Sequence, residues 1–527
     1  MLTTSDLVEK GFFPRELPPA FSTAELAAAL PAIRSSLQPN RPTALTNYSI
    51  PGSKNIRRFL GIPNPKTQIL LCDEISSRWS DIETHYSRTD ISLSRPIPTS
   101  ARQRAASPRV KFGKLPQKQL LAFPECRFVL HCDTSRYYTS LYTHIIPWAL
   151  HGKDVAKQHI GSRNLWGNEL DRLVRNTQEK QTKGIPIGPD TSLILSEIVG
   201  SEIDCRIMNE FGAQNIRGHR YLDDYFLFFW SEEEANRCKS VIARILRDYE
   251  LELNADKSRV VKLPESLEND WSESIRSFGF RFDEEQAADD ICAFFNMAFR
   301  YASKCRDEQI LKSALAKVKR WTFSEATWST LEPLLLRSTV VDPSGLPVFC
   351  QILFAYDKAN YPINKSSIRS ALVEIVRYHC SLGESHEVAW ALWTLKSLRI
   401  SIPEAVANGV TRMRDPVAGL VLLDLNDRGL VDGTLELSAW NALLDSKELI
   451  TSNWLFVYEA NVHGWLRRAD NLDFVAADPF FGLLKSNDVY FYQSSVKPVT
   501  DDVAIRSSQS MDGDYSDYSD RDDDENY

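Results

Sequence analysis

The sequence lacks any long uninterrupted hydrophobic run. Its longest apolar stretches fall far short of the roughly 20 residues that cross a bilayer, and each lies among charged residues. The opening segment, MLTTSDLVEKGFFPREL, also lacks the apolar core behind a basic start that marks a secretory signal. We therefore expect a cytoplasmic protein that contacts no membrane.

Cysteine pairs at metal-ligand spacing are also missing. The chain has nine cysteines, scattered from Cys72 to Cys380, and none of them forms a CxxC pair. Cys126 and Cys132 lie close together, but no second pair or histidine cluster completes a zinc set. The pattern argues against a zinc module or a disulfide framework and favours free thiols in a reducing compartment.

Charge is concentrated at two places. From Asp501 onward the chain has ten acids and two bases, which accounts for the whole net charge of −8. We predict a disordered acidic tail at 501–527. Residues 88–118 have the opposite bias, with only Asp90 against Arg88, Arg95, Arg102, Arg104, Arg109, Lys111, Lys114 and Lys118. This favours contact with a polyanion such as nucleic acid or a nucleoside triphosphate, and a solvated basic loop is the alternative.

The pattern of apolar residues changes twice along the chain. Between about 120 and 285, apolar strands and helices alternate in the way expected of an α+β domain around one sheet. We predict a strand at 126–133, a helix or helix pair at 139–153 broken near Pro147, a helix at 191–212, and a helix running into a strand at 232–254. From 286 to 500 apolar stripes at helical spacing predict stacked helical hairpins or a single irregular bundle.

Two adjacent acids interrupt an apolar run. In HRYLDDYFLFFW (219–230), Asp223 and Asp224 lie where a strand pair is expected to bend, and a third acid, Asp133, ends the apolar strand FVLHCD. Buried carboxylates are costly unless they are paired or bind metal. If the strands are neighbours, the three carboxylates could hold two Mg²⁺ ions, or Mn²⁺ as a substitute, for displacement at phosphorus. The alternative is that the aspartates only cap a turn.

A loop of small residues lies between these acids. In QTKGIPIGPDTS (181–192), Gly184, Pro186 and Gly188 precede a predicted helix. Such a loop lets the backbone approach a base or sugar closely. An ordinary Gly-Pro turn is the alternative.

The order of these elements resembles the palm of the reverse transcriptases, over about residues 45–285. The segments that resemble the family are DTSRYYTSLYTH for motif A, GIPIGPDTS for motif B, YLDDYFLFF for motif C, LELNADKSRVVKLP for motif D and YSIPGSKNIRRFLGIPNPKTQ for the fingers segment. The resemblance implies an α+β right-hand polymerase with fingers and palm, followed by a mostly α-helical repeat-like domain. It implies an N-terminal and fingers region at 1–120, a palm at 121–285, a helical thumb or repeat-like domain at 286–500 and the tail.

The resemblance also implies residue roles. Asp133 and Asp223 would bind the catalytic metals, and Asp224 would support them or reach a metal. The implied dNTP-binding residues are Arg58, Tyr138, Gly184, Pro186, Gly188 and Lys257. Tyr138 would exclude a 2′-hydroxyl, which implies deoxynucleotide use, while Lys257 would assist the leaving pyrophosphate and Arg58 would bind phosphate. A core tyrosine and a surface arginine are the alternatives for Tyr138 and Arg58.

The segments THIIPWALHGK and GIPIGPDTSLILSEI resemble the abortive-infection and defence-associated reverse transcriptases of bacteria. That resemblance implies an anti-phage DNA polymerase that copies RNA or extends DNA without a template. Its implied partners are dNTPs, RNA or DNA, a non-coding RNA and further copies of the chain. An inactive nucleic-acid-binding scaffold is one alternative. A mobile-element enzyme is another, although the chain has no obvious His-rich nuclease or Cys-pair zinc segment.

Three positions depart from the common family pattern. Ile187 stands where many members have glutamine, Asp190 places an acid just after the loop, and Gly52 stands where lysine is common, with Lys54 close by. The three acids of the expected metal site are intact, so these departures concern the contacts to the template and the nascent base pair.

Overall fold

The structure is a computed structural model of the chain. It describes residues 1–38, 40–52, 56–100, 104–120, 126–212, 216–266, 269–281, 283–306, 308–500 and 502–505. Lys54, Arg102 and nearly all of the predicted acidic tail lie outside the described residues.

The first 120 residues form short helices and two small hairpins. Thr3 begins the first helix with a capping box, and Asn64 caps the helix that begins at Pro65. The elements are α1 (Thr4–Glu9), α2 (Ala24–Ile33), β1 (Thr46–Pro51), β2 (Arg57–Ile62), α3 (Pro65–Ser77), α4 (Trp79–Tyr86), β3 (Pro96–Pro98), β4 (Ala106–Pro108) and α5 (Leu115–Leu120). β1 pairs with β2 and β3 with β4, both antiparallel.

The next region contains the main sheet and the helices that cover it. Its elements are β5 (Phe128–Asp133), α6 (Tyr137–Ser140), α7 (Ile145–His151), α8 (Lys153–Gln158), α9 (Trp166–Thr177), α10 (Asp190–Phe211), β6 (Arg217–Tyr221), β7 (Asp224–Phe229), α11 (Glu232–Asp248), β8 (Arg259–Lys262) and α12 (Asp270–Ser277). The strands pair antiparallel in the order β6-β7-β5-β8, so the two most apolar strands lie at the centre.

Two helices pack close to this sheet. α10 is buried along almost its whole length and ends before Gly212, whose φ of 91° favours glycine. α11 begins with a capping box between Ser231 and Glu234 and packs on β5, β7 and β8. Most of the sheet's apolar side chains are therefore removed from water, which stabilises the fold in proportion to the area they bury.

Two predictions for this region are wrong in detail. The helix pair at 139–153 is interrupted at 141–144, between α6 and α7, and not near Pro147. Pro147 lies in the first turn of α7, where backbone N–H groups have no acceptor within the helix. A proline there therefore breaks no helical hydrogen bond. No strand follows α11 directly: Leu253 forms an isolated bridge with Thr134, and the strand paired with β5 begins at Arg259.

The remainder of the described chain is mostly helical. Its elements are α13 (Glu284–Lys304), α14 (Ile310–Lys319), α15 (Glu325–Val341), α16 (Leu346–Lys358), α17 (Lys365–Leu382), α18 (Ser385–Ser397), β9 (Ile402–Pro403), α19 (Glu404–Met413), α20 (Pro416–Asp427), β10 (Val431–Asp432), α21 (Ser438–Asn441), α22 (Trp454–Val462), α23 (Phe474–Ala477) and α24 (Phe481–Ser486). α17 packs on α18, α18 on α20 and α20 on α22, as successive layers.

This helical region packs against the β1–β2 hairpin and the segment after it. The indole N–H of Trp454 donates to the carbonyl of Ile62 at 3.4 Å, and the side-chain amide of Asn64 donates to the carbonyl of Leu449 at 2.8 Å. The Lys66 ammonium lies 3.0 Å from the carboxylate of Asp478. The end of the hairpin is therefore fixed by Trp454, and the segment after it by Leu449 and Asp478, at sequence separations of 392, 385 and 412 residues.

None of the helices in the described ranges combines the length and the apolar character that a membrane crossing requires.

Asp190, the acid that departs from the family pattern, connects three segments. Its buried carboxylate accepts hydrogen bonds from the backbone N–H groups of Ala105 and Ala106 at 2.7 and 3.1 Å and from Arg104 at 2.5 Å. Its own N–H donates to the carbonyl of Gly11 at 2.9 Å. The acid thus joins the N-terminal segment and β4 to the start of α10.

We predict that Asp190→Ala lowers the free energy of unfolding by about 3 kcal/mol, because it leaves buried donors and the Arg104 charge without their acceptor. Asp154→Ala removes an exposed acid from the first turn of α8 and should change stability by less than about 0.5 kcal/mol. Chemical denaturation of both variants tests this. Equal losses in the two variants would contradict the assignment.

Candidate active site

The three aspartates predicted as metal ligands lie together at one end of the two central strands of the main sheet, β5 and β7. Asp133 is the last residue of β5 and is paired in register with Asp224, the first residue of β7. Asp223 lies in the turn before β7, and its carbonyl accepts the N–H of Thr134 at 3.2 Å. Three carboxylates from distant parts of the sequence thereby become neighbours.

The turn that carries Asp223 is held in an uncommon backbone conformation. Leu222 has a φ of 54°, which is unfavourable for a side chain of this kind. Its N–H donates to Ser94 Oγ at 2.8 Å, and its carbonyl accepts from Arg220 at 2.7 Å. Both polar groups of the residue before Asp223 are therefore fixed by hydrogen bonds.

Arg220 belongs to a fully buried charged network beneath the turn. Its guanidinium donates to Glu197 and Asp204 of α10 at 2.8 Å, and the hydroxyl of Tyr225 donates to Asp204 at 2.9 Å. α10 has a glycine where the guanidinium passes: a Cβ at Gly200 would lie 2.7 Å from Arg220 Cζ. The network fixes α10, β6 and β7 relative to one another.

Burial and neighbouring carboxylates raise the pKa of two of the three aspartates. Burial and the charge of Asp133 raise the pKa of Asp223 to about 6, and burial together with Asp223 and Asp133 raises the pKa of Asp224 to about 7. Two cations, Lys257 and Arg58, act against this increase in the pKa of Asp223. The site therefore concentrates negative charge that a cation can neutralise.

Lys257 lies directly against this charge. Its ammonium donates to Asp133 Oδ2 at 2.7 Å, and this hydrogen bond raises the pKa of Lys257. More than half of the lysine side chain is exposed, whereas the carboxylate of Asp133 is buried. The contact therefore neutralises part of the acid set with a side chain that solvent can reach.

The donor set fits divalent metal. Carboxylate oxygens are the ligands that Mg²⁺ prefers, and like-charged acids held together favour the binding of cations over separate ionisation. A set of three carboxylates is compatible with two ions that also take oxygens from substrate phosphates.

Tyr138 and the small-residue loop lie next to the aspartates. The hydroxyl of Ser196 donates to that of Tyr138 at 3.2 Å, and the carbonyl of Tyr138 accepts the N–H of Ile185 at 2.9 Å. Burial, with a smaller contribution from Asp223, raises the pKa of Tyr138 to about 12, so its hydroxyl stays neutral. Gly184 has a φ of 85°, and a Cβ there would lie 3.2 Å from the carbonyl of Thr139.

The second half of the loop contacts the β1–β2 hairpin. The carbonyl of Ile187 accepts the N–H of Gly61 at 2.8 Å, and a Cβ at Gly61 would lie 3.0 Å from Pro186. Gly188, with a φ of 125°, lies against Pro14, which a Cβ would approach to 2.6 Å. Arg58, exposed on β2, is therefore brought to the same side of the molecule as the loop and the aspartates.

The basic stretch 88–118 is divided by its contacts. Arg88 pairs with Glu202 at 2.8 Å and Arg104 with Asp190, while Arg95 and Arg109 donate to backbone carbonyls. Lys114 and Lys118 are exposed, four residues apart at the end of this stretch. The ring of Phe112 packs edge-on against Tyr221 at 5.6 Å, which puts this end beside the turn of the aspartates.

The network beneath the turn and the role of Asp190 are absent from the sequence predictions. One signal for the network exists: Glu197 and Asp204 lie seven residues apart on one face of an otherwise apolar helix, and Arg220 interrupts an apolar strand region. In both cases charge stands at positions expected to be buried. The pairing of these charges follows from the packing of α10 against β6.

We predict that Asp224→Asn stabilises the metal-free protein at pH 8 by about 1 kcal/mol. A carboxyl with a higher pKa in the folded than in the unfolded state destabilises folding once ionised; the penalty is absent below pH about 4 and is complete above pH about 7. Thermal melts in chelator at pH 5 and pH 8 test this. The gain should shrink at pH 5, and the exposed variant Asp154→Asn should show none; a gain of the same size at both pH values would contradict the prediction.

Comparison with known proteins identifies one domain. Residues 105–282 match the family model described as reverse transcriptase (RNA-dependent DNA polymerase); the match includes all the predicted site residues except Arg58. No curated protein matches the sequence. The structure of telomerase from Candida albicans, solved with a TWJ fragment of telomeric RNA, is similar to this chain at 12% sequence identity and a TM-score of 0.28. The similarity covers 71% of this chain and 62% of that chain, so this chain spans less than two thirds of the telomerase chain. Residues 105–282 of the chain therefore contain a reverse transcriptase domain.

Proposed function

We propose that this protein is a DNA polymerase that transfers deoxynucleotides by a two-metal mechanism and acts in antiviral defence against phage. The polymerase part rests on one observation: Asp133, Asp223 and Asp224 lie together at one end of the two central strands, beside Tyr138 and the loop that contains Gly184. A deoxynucleotide needs both features at once: carboxylates that hold the metal ions for its triphosphate, and a closed surface for its sugar.

We assign the metal to the three aspartates. Their carboxylate oxygens would hold two Mg²⁺ ions, or Mn²⁺ in their place. When bound, the ions neutralise the phosphates and stabilise the in-line displacement at phosphorus. The raised pKa values of Asp223 and Asp224 support this assignment, because a site strained by its own negative charge gains most from a cation.

The remaining roles belong to the chain's own cations and to Tyr138. Arg58 binds the triphosphate with its fork of N–H donors. Lys257 leaves Asp133 when the site fills, and its charge then stabilises the departing pyrophosphate. The neutral ring of Tyr138 lies where a 2′-hydroxyl would enter, and its contacts to Ser196 and Ile185 keep it in place, so dNTPs are used in preference to NTPs.

The backbone of the small-residue loop contributes the surface under the nucleotide. Gly184, Pro186 and Gly188 form this surface, and the two glycines adopt positive φ values that larger residues adopt at a cost. The contacts of the loop to Thr139, Gly61 and Pro14 support a rigid surface.

The second ligand of the proposed enzyme is nucleic acid, RNA, DNA or both. Lys114 and Lys118 support this, because they are exposed, one directly before α5 and one within it, and follow Phe112, which packs on Tyr221 beside the catalytic turn. A phosphate backbone that enters the site along this side would meet both ammonium groups.

The defence role and the finer architecture rest on the resemblance to abortive-infection reverse transcriptases. In this proposal residues 1–120 and 121–285 are the fingers region and palm of a right-hand polymerase, and 286–500 are a helical repeat-like domain. The successive packing of α17, α18, α20 and α22 supports a layered helical domain. A bound non-coding RNA, assembly into homo-oligomers and a cytoplasmic location belong to the same proposal, and synthesis is RNA-templated or template-independent.

We predict that purified protein incorporates labelled dNTPs, and NTPs far less well, in the presence of Mg²⁺. Asp223→Asn with Asp224→Asn should lower incorporation by at least about 1000-fold, because charge stabilisation at phosphorus is removed. Nuclease pretreatment separates templated synthesis, which it abolishes, from untemplated synthesis.

The matched variant for this assay is Asp154→Asn with Asp248→Asn, two acids outside the site, which should retain full incorporation. A phage challenge of the catalytic variant completes the test. Full protection without the two aspartates would contradict the defence polymerase and would favour a nucleic-acid-binding scaffold.

We predict that Lys114→Ala with Lys118→Ala weakens binding of a primer–template duplex about tenfold at 0.1 M salt. The slope of log K against log salt should fall by roughly 1 to 2, one unit for each phosphate that the variant no longer neutralises. Lys358→Ala with Lys447→Ala removes two exposed lysines of the helical region and should change neither quantity. An unchanged salt slope in the first variant would remove this surface from the proposal.

A further inference from the structure

One arginine joins the β1–β2 hairpin to the helical region. The guanidinium of Arg57 binds both carboxylate oxygens of Glu387, at 2.5 and 2.8 Å. On its other edge it donates to the hydroxyl and the carbonyl of Ser49 in β1, at 2.9 and 3.0 Å. A bidentate arginine–carboxylate pair fixes both the distance and the orientation of its partners.

The pair is enclosed rather than solvated. The side chain of Glu387 is 3% exposed and that of Arg57 is 21% exposed. Glu387 also lies in the first turn of α18, where the helix dipole stabilises negative charge. The contact is therefore retained at ionic strengths that screen surface ion pairs.

Further contacts at the same place hold β1 on α18. The N–H of Ser49 donates to Ser385 Oγ at 3.2 Å, and the hydroxyl of Tyr48 lies 3.3 Å from His386 Nδ1. These contacts seat the strand, whereas the Arg57–Glu387 pair reaches β2.

Arg57 directly precedes Arg58, the residue assigned to the triphosphate. Successive side chains of a strand point to opposite faces, and here Arg57 points toward α18 while Arg58 is exposed. The guanidinium that is held by Glu387 therefore sets the backbone from which Arg58 extends.

Glu384 and Glu387 lie close to His379, but their contacts do not indicate a metal site. His379, Glu384 and Glu387 have donor atoms within 4.8 Å of one another. Both oxygens of Glu387 are already bound by Arg57, and His379 Nδ1 is hydrogen-bonded to Glu384 at 2.5 Å. The arginine supplies the positive charge that a metal would otherwise supply.

We propose that Glu387 is a positioning residue for nucleotide binding: through Arg57 it holds β2 so that Arg58 meets the triphosphate. The helical region thereby sets the affinity of the polymerase site for its nucleotide. This inference rests on the proposed function, in which Arg58 binds the incoming dNTP.

The test compares Glu387→Gln with wild-type full-length protein by steady-state incorporation and by calorimetric binding of a dNTP. Glutamine retains the shape of the side chain but removes the charge and the second strong acceptor. We expect KM and the dissociation constant to increase about tenfold, with kcat within about twofold of wild type. Arg57→Gln should show the same change.

Two further variants separate positioning from a purely structural role. In an Arg58→Ala background, Glu387→Gln should weaken binding no further, because the residue through which it acts is gone. Lys66→Met breaks a different ion pair to the helical region, Lys66–Asp478, which lies after the hairpin, and should leave KM unchanged. A lower melting temperature for Glu387→Gln with unchanged KM and binding would overturn the inference.

The two readouts also separate this inference from the proposed function. If wild type incorporates nothing but binds dNTP, and Glu387→Gln weakens that binding, the positioning role stands and the proposed polymerase activity fails. If wild type incorporates dNTPs and the variant matches it in both readouts, only the positioning role fails. If wild type neither incorporates nor binds dNTP, both are overturned.

Discussion

The burial of neighbouring carboxylates at one end of the two central strands is the constraint on which the rest of the site depends. Burial, with the charge of Asp133, raises the pKa of Asp223, and burial, with the charges of Asp223 and Asp133, raises the pKa of Asp224, so the fold loses stability by holding these two acids ionised. Local backbone preference does not favour the turn either, since Leu222 has a positive φ. The arrangement is retained because Ser94 and Arg220 bind the backbone of Leu222 and because Arg220 is itself fixed by two acids of α10.

The same constraint explains why cations lie near these acids. Lys257 contacts Asp133 directly, and Arg58 acts on Asp223 from β2. Both cations are solvent-accessible, whereas Arg220 is buried and already neutralised. The buried cation therefore contributes rigidity, and in the proposed function the accessible Lys257 is the cation that would exchange Asp133 for a phosphate ligand.

How far the sequence predicts the structure depends on the distance along the chain between interacting residues. The strand that ends at Asp133 and the bend at Asp223 and Asp224 are local patterns of apolar runs interrupted by acids, and the structure has both. In the sequence Asp190 is only a departure from the family pattern, because its partners Arg104 and Ala105 lie about 85 residues earlier. The pair of Arg57 and Glu387 spans 330 residues, and no periodicity or motif connects them.

The departure at Ile187 has a physical explanation that also concerns the hairpin. The contact between the loop and β2 uses the carbonyl of Ile187 and the N–H of Gly61, so it does not depend on the side chain at position 187. β2 is therefore held by backbone on the side of the loop and by the Arg57–Glu387 pair on the side of α18. In the proposed polymerase, a strand fixed from both sides would not adjust independently to a nucleotide, so changes in the helical region would be transmitted to Arg58 through the position of β2.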